Sequence, residues 1–427
     1  MAEWTCDANE ALSLSLVRAT EDESHPPFHP TFTYPIFGEE EKIYGYTDLD
    51  IDLRFASGSL VPFLQIKHTK KLAASSTVDD VQGTLTGFMP SDYYQDEKAF
   101  LARVEEDATT FRPTGQLIHT YTRPASDSKG KGVATLDPES DDAVVFEVYH
   151  ATWDSPGFRE LHQRMQLFIL LYIEAGSYIN EEEDTWEFAV LYEKRKRRGA
   201  PHITTYHFVG YSSLYPFYCF PERVRLRLSQ FVILPPYYRA GHGSELYTAI
   251  YQYVLSTPSI AELTVEDPAE AFEDLRDKND LLMLLGHRRF MEEGFGLGEE
   301  SHGGGRVGGI GKGGRSGRGG KGKEKETPAK GKLGPPTDKV WAEKWRKELK
   351  IAGRQFNRLV EMLILLRLDP ADGRAMRAYR LQVKERLYRF NFEILAQLEK
   401  QERLDKLEET FQSVRDDYMR ILALLSH

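Results

Sequence analysis

Cysteine is nearly absent: Cys6 and Cys219 are the two in 427 residues. Two thiols cannot form a disulfide framework, so a reducing, intracellular compartment is expected. Nor is there any run of about 18 apolar residues, which argues against a membrane-spanning helix. The N-terminus MAEWTCDANE lacks the basic and apolar regions of a signal peptide. Several catalytic patterns are missing too. Lys312 is followed by Gly313, so no P-loop is present, and GYSSL at Gly210 lacks the second glycine of a nucleophile elbow. His202 and His207 stand five apart without a His-Glu-x-x-His pattern, so no metal site is expected. Cys219 has no His or Asp near it in sequence and reads as a buried structural thiol. The net charge of −11 excludes a surface that is basic throughout and suits a basic partner.

What is present falls into four segments. From about 27 to 150, short apolar runs (YPIFG, IDLRF, FLQIKH, AVVFEVYH) alternate with turn residues, which predicts a mixed domain with an antiparallel sheet. Phe158 to Ala175 has helical periodicity, and strands are expected at Trp186–Tyr192 and Ile203–Tyr211, giving an α/β domain over 151–293. Residues 294–336 are glycine-rich and basic with almost no apolar side chains. Such a segment cannot offset an ordering cost of about 1–2 kcal/mol per residue and is expected to be disordered. From Asp338 to the end the pattern is helical, with a last helix expected over about Phe390 to Leu425.

The most informative stretch is Leu226 to Asp267. Leu228–Leu234 reads as a buried strand that Pro235 and Pro236 end by removing N–H donors. Gly241 and Gly243 flank His242 and open an amphipathic helix with Leu246, Ala249, Ile250 and Val254 on one face. Backbone N–H groups at such a turn suit a pyrophosphate. A second strand, ELTV, follows and ends in Glu266 and Asp267. The spacing of Asp267, Pro268 and Glu270 predicts N-cap, N1 and N3 of the next helix. That leaves Glu266 as the better candidate base.

The runs SQFVIL, GHGSELY and VEDPAEAFEDLRD resemble the catalytic subunits of type B histone acetyltransferases, within the GNAT superfamily. FGEEEKIYGY, YIEAGSYI, DTWEFAVLYEK and IAGRQFNRLVEMLILLRL extend the resemblance over most of the chain. It implies an α/β (α+β) GNAT core, with a mixed α/β domain over 1–150 that meets histone tail and partner, and a helical domain over 337–427. It implies acetyl-CoA as cosubstrate, held largely through backbone groups of Phe231, Val232 and Ile233 and of the turn Tyr238, Arg239, Ala240, Gly241, His242, Gly243 and Ser244. Glu266 matches the family's principal general base, with Glu174 and Asp267 in supporting roles. Trp186 matches an aromatic near the substrate lysine, Tyr215, Pro216 and Phe217 a segment touching the tail, and Glu39, Glu40 and Glu41 an acidic patch. The implied activity is transfer of acetyl to lysines in the tail of newly made, soluble histone H4, in nucleus and cytoplasm, beside a WD-repeat β-propeller histone chaperone. A non-catalytic histone-binding module, or an acetyltransferase for another basic protein, are the alternatives. Two positions depart from the pattern. Tyr238 stands where GNAT turns usually carry Gln or Arg, and Ala269 where some relatives carry an amide.

The insert has two readings. One is a basic tether that contacts nucleic acid weakly. The other rests on GGIGKGGRSGRGGKGK, which resembles the histone H4 tail in placing lysines between glycines. On that reading Lys312, and after it Lys321, is an autoacetylation site or pseudosubstrate. Incubation with acetyl-CoA should then add 42 Da (about one acetyl group) to the peptide carrying Lys312. An unmodified insert, with kinetics unchanged by its deletion, sinks the idea.

Overall fold

The structure is a computed structural model, described here for residues 4–20, 24–73, 77–124, 137, 140, 143–197, 200–296 and 331–426. Most of the insert, with Lys312 and Lys321, lies outside the described residues. The chain forms two compact units, Met1–Asp267 and Pro268–His427.

In the first unit, LSLSLV buries alternate residues as strand β1 (Leu12–Val17). It lies parallel to β2 (Asp50–Ala56), which pairs antiparallel with β3 (Pro62–Lys67). Helix α1 (Glu97–Thr110), capped by Asp96, closes this small sheet by setting Phe100 against Phe63. A six-stranded sheet follows, in the order β4 (Gln116–Pro124), β5 (Ala143–Thr152), β6 (Glu187–Arg197), β7 (Ala200–Cys219), β8 (Arg223–Ile233) and β9 (Ile260–Val265). All neighbours in it are antiparallel except β8 and β9. Helices α2 (Phe158–Met165) and α3 (Leu167–Tyr172) join β5 to β6, and α4 (His242–Ser256) makes the crossover between the parallel strands.

Two expectations are corrected here. The small sheet is mixed rather than antiparallel, because β1 returns to β2 through a long connection. The boundary expected at 150 falls inside β5, a strand paired on both sides within the six-stranded sheet. Apolar alternation shows that a strand exists, but not which sheet receives it.

The second unit is helical: α5 (Glu270–Gly286), α6 (Arg288–Phe295), α7 (Lys339–Glu348), α8 (Gly353–Arg367), α9 (Gly373–Phe390) and α10 (Lys400–Ala423). Phe356, Leu359, Tyr379, Val383, Phe411 and Tyr418 are buried in it. A buried carboxylate, Glu361, accepts two bonds from Arg386 (2.8 and 2.9 Å) and one from the Tyr418 hydroxyl (2.8 Å). The single long last helix is another correction. The chain breaks after Phe390, makes one turn at Phe392–Leu395, and starts again at Lys400. Neither Gly nor Pro marks the break.

Beneath β6 and β7 the first unit buries a polar cluster. Glu193 accepts from Arg18 (2.5 Å) and from the Tyr237 hydroxyl (2.8 Å), and Arg18 also reaches Tyr237 (3.0 Å). The Arg18 and Glu193 side chains are 1% and 2% exposed. Burial opposes ionisation of Glu193, yet Arg18 and Arg195 beside it hold its carboxyl well below the usual range. His207 sits between Ser57 Oγ (2.8 Å) and Thr205 Oγ1 (3.1 Å); burial first, and then Arg18, push its pKa down to about 3. His242, against the Tyr121 hydroxyl at 2.7 Å, is likewise pushed by burial to about 4. Below the ordinary histidine pKa of about 6.5 the unfolded chain takes up protons that these folded imidazoles refuse. Stability from both groups is therefore full above about pH 6.5 and is lost as pH falls toward 4. The melting temperature should decline between pH 7 and 5.5, where carboxylates remain ionised. A flat profile over that interval contradicts the burial argument.

Candidate functional site

The site is built where two parallel strands part. Pairing of β8 with β9 runs from Val224 and Ile260 to Leu228 and Val265, while β8 stays paired with β7 as far as Ile233. The Glu266 N–H adds one more bond, to the Leu228 carbonyl at 3.0 Å. Beyond that point β9 turns away. The Leu234 N–H donates to the Val209 carbonyl on the β7 side (2.9 Å). By strand alternation the backbone of Ile233 faces the opposite, opened edge. A β-bulge marks the same place: Gln230 pairs with Ser213 but Leu228 with Leu214, so Ser229 is the extra residue.

The bulge gives Ser229 its task. Its hydroxyl donates to Glu266 Oε2 at 2.6 Å, and Arg227 reaches Glu266 Oε1 at 3.4 Å. Arg227 also lies over the Phe217 ring (4.3 Å), which contacts Tyr215 (centroids 4.7 Å), which in turn meets Trp186 edge-on (4.8 Å). Trp186, Tyr215, Phe217 and Glu266 thus form one continuous line, with Pro216 between the two ring-bearing residues. Trp186 is buried, and its indole nitrogen has no hydrogen-bond partner among the described residues.

Gln230, a buried amide in an apolar strand, ties in the next element. It accepts from Ser213 Oγ (3.0 Å) and donates to the Ser177 carbonyl (2.8 Å). That holds the 173–178 loop, which carries Glu174, against β8. From the other side the Ala175 N–H donates to the Tyr34 hydroxyl (2.5 Å). Gly176 permits the close approach, since a Cβ there would sit 2.7 Å from the Ile169 carbonyl oxygen. The Tyr34 N–H in turn donates to Glu41 (3.1 Å), as does the Thr33 N–H (2.6 Å).

The turn after β8 is open for an anion. Arg239 and Gly241 both have positive φ (61° and 81°), and Gly241 caps α4 without a side chain that could occupy its first-turn N–H groups. Tyr238, Arg239, Ala240 and Gly241 are exposed. Behind the turn, Arg123 donates to the Ala240 carbonyl (3.2 Å) and to Glu245 in the first turn of α4 (2.9 Å). Tyr237, fixed by Arg18 and Glu193, is its floor. Backbone N–H groups here suit the diphosphate of a nucleotide-type cosubstrate such as acetyl-CoA. Among the described residues no group of His, Cys, Asp and Glu could hold a metal ion.

Several expectations change. Asp267 is not the cap of α5: the N-cap is Ala269, whose carbonyl accepts from the N–H groups of Phe272 and Glu273 at 2.9 Å each. Asp267 has φ +30°, and Pro268 lies outside the helix, because the chain spends three residues, Glu266, Asp267 and Pro268, between the strand and the cap. Glu41 is spoken for by backbone donors, which leaves Glu39 and Glu40 as the exposed acidic pair. The side chains of His242 and Val232 point into the core, so those residues can offer a cosubstrate their backbone only. Glu266 is not desolvated, with its side chain 43% exposed. Cys219 is half-buried between exposed Tyr218 and Phe220 rather than sequestered. Sequence reasoning missed Ser229, Arg227, Gln230 and Tyr34. For Gln230 there was a signal, a polar residue at an inward position of LRLSQFVIL. For the bulge there was none, since it exists only relative to β7.

Residues 4–174 match the family model described as the histone acetyl transferase HAT1 N-terminus, and residues 323–369 that of the fungal HAT1 C-terminal region. The chain is 47% identical to a histone acetyltransferase type B catalytic subunit of Cryptococcus neoformans var. neoformans serotype D over 441 residues, 99% of this chain and 98% of that one. It is 42% identical to the same subunit of Mycosarcoma maydis (97% and 87% covered) and 33% identical to that of Kluyveromyces lactis (98% and 92%). Among solved structures, an aminoglycoside acetyltransferase from an uncultured soil metagenomic sample, in complex with sisomicin, is 14% identical, with a TM-score of 0.23 over 31% of this chain and 86% of that chain. Near-complete coverage by such relatives, together with the parted strands and the open turn, places this chain in the family of histone acetyltransferase type B catalytic subunits.

Proposed function

We propose that this enzyme transfers acetyl from acetyl-CoA directly to lysine ε-amines in the N-terminal tail of newly made, soluble histone H4, with Glu266 as general base. The observation that carries the reading is the position of Glu266. It stands at the mouth of the parted strands, held by Ser229 and joined by the Arg227–Phe217–Tyr215–Trp186 line to a surface that can take an aliphatic cation. A lysine ammonium titrates near 10.4, so about one molecule in a thousand is neutral at physiological pH, and its proton must be removed before attack. Glu266 accepts that proton, directly or through water, while Glu174 and Asp267 add negative charge nearby. The freed amine attacks the thioester carbon. Backbone N–H groups at the opened edge of β8 offset the charge on the carbonyl oxygen, a contribution of about 3–4 kcal/mol. The tetrahedral adduct collapses with loss of the thiolate, which takes up a proton.

Because Glu266 is exposed before the tail arrives, its desolvation falls to the substrate: a lysine stem laid along Trp186 and Tyr215 removes water from the carboxylate as it binds. Glu39 and Glu40 attract the basic tail. A WD-repeat β-propeller histone chaperone as partner, and a distribution between nucleus and cytoplasm, follow from the same reading.

Glu266→Gln should lower turnover on an H4 tail peptide by about 10²–10⁴-fold, the usual range for a general base, while acetyl-CoA still binds by calorimetry. Near-normal turnover removes Glu266 from the role. The acidic turn divides in a second test. Glu39→Gln with Glu40→Gln should raise the peptide KM several-fold at unchanged kcat and weaken its salt dependence. Glu41→Gln should instead cost about 1 kcal/mol of stability, as lost caps do. The same response from both variants would mean that Glu41 is not structural.

A further inference from the structure

The helical unit carries a feature that acetyl transfer does not use. Helices α7, α8 and α9 enclose an open groove of about 710 Å³, walled by Phe356, Val360, Ala378, Leu381 and Phe390. Leu381 is 60% and Phe390 59% exposed, both on α9, whose Tyr379, Val383 and Leu387 are buried. Just past the end of α9, Phe392 and Ile394 continue the apolar surface at 52% and 68% exposure. Clustered apolar exposure of this kind marks an interaction surface rather than scattered surface residues.

The charge around the groove selects among occupants. Glu361 is taken up by Arg386 and the Tyr418 hydroxyl. Glu343 is shared by Arg346 (2.8 Å) and Lys347 (3.4 Å), and Glu385 by Lys339 (3.4 Å) and Arg389 (2.5 Å). Arg354 lies over the Phe390 ring at 4.3 Å and has no carboxylate partner among the described residues. The lining therefore holds five cations against three carboxylates, a positive groove on a chain of net charge −11. A second copy docked symmetrically, groove to groove, would bring two such positive surfaces together. The glycine-rich insert is itself basic and almost devoid of apolar side chains. Neither is complementary.

We propose that this groove docks an acidic, apolar helical segment of a partner protein. Leu381 and Phe390 are nine residues apart on one helix, about 13 Å at 1.5 Å per residue. A ligand helix that keeps its anchors on one face comes nearest that span with apolar residues eight apart, about 12 Å, seated as helices seat in apolar grooves elsewhere. Carboxylates flanking the anchors meet Arg354 and Arg389.

Fluorescence anisotropy on the full-length protein tests this. The probe is a fluorescein-labelled helical peptide with Leu and Phe eight residues apart on one face and Glu on both flanks; its counterpart carries Lys in place of Glu. The Glu peptide should bind saturably, the Lys peptide at least tenfold more weakly. Leu381→Asp and Arg354→Glu should each weaken the Glu peptide at least tenfold while leaving histone-peptide acetylation unchanged. Leu381→Gln keeps the test valid should the aspartate perturb folding. Absence of binding, equal binding of the two peptides, or indifference to all three variants overturns the proposal. So does a concentration-dependent dimer in sedimentation that Leu381→Asp abolishes, which would make a second copy the occupant.

Discussion

The parting of β8 from β9 is the constraint on which the first unit depends. Parallel strands share a slanted ladder, and a sheet that continued past Leu228 would satisfy its own backbone and leave nothing for a ligand. The ladder stops there because Ser229 is inserted as a bulge on one side while Glu266 and Asp267 lead the chain out on the other. One break therefore supplies two things. It frees a strand edge, and it sets a carboxylate at the rim of the same opening. The crossover helix starts at this opening, since a connection between parallel strands leaves the C-terminal end of one and must run back to the N-terminal end of the next.

Polar burial holds this opening in shape. Gln230 lies inside the sheet and binds the Glu174 loop by its amide. Glu193, Arg18 and Tyr237 form a closed set beneath the glycine turn after β8. Leaving such groups unsatisfied costs about 1–3 kcal/mol each, and more when charged, so they specify one arrangement where an apolar core would tolerate several. The first unit thus places its buried polar contacts behind the site and keeps exposed charged groups in front of it.

Legibility from sequence followed the range of the interactions. Strands with apolar alternation, the glycine turn with its amphipathic helix, and the place of Glu266 at the end of a strand were readable because each is set by neighbours a few residues apart. The partition into sheets was not, because β5 carries the same alternation whether it ends one sheet or sits inside another. The supposed cap at Asp267 failed for a related reason. Spacing fitted a capping box, but the chain had first to leave a strand, and Asp267 took a left-handed conformation in doing so. Ser229 and Arg227 acquire meaning only when β9 is laid beside β8, which local pattern cannot show. The family resemblance supplied Glu174, Trp186 and Tyr215 to Phe217, none of which periodicity alone would have distinguished from core or surface.

The Arg18–Tyr237 bond joins residues 219 positions apart. Contacts of such separation form only after much of the chain has been ordered, because the loop they close is costly in entropy. The floor of the cosubstrate turn is therefore completed from the far end of the unit. A chain that has made its sheet but not yet docked β1 has Glu266 in place at the strand end and no firm floor under the turn proposed to seat the acyl donor. Competence to bind cosubstrate then reports that the N-terminal strand has arrived, and folding of the two ends of this unit is read out at a single turn.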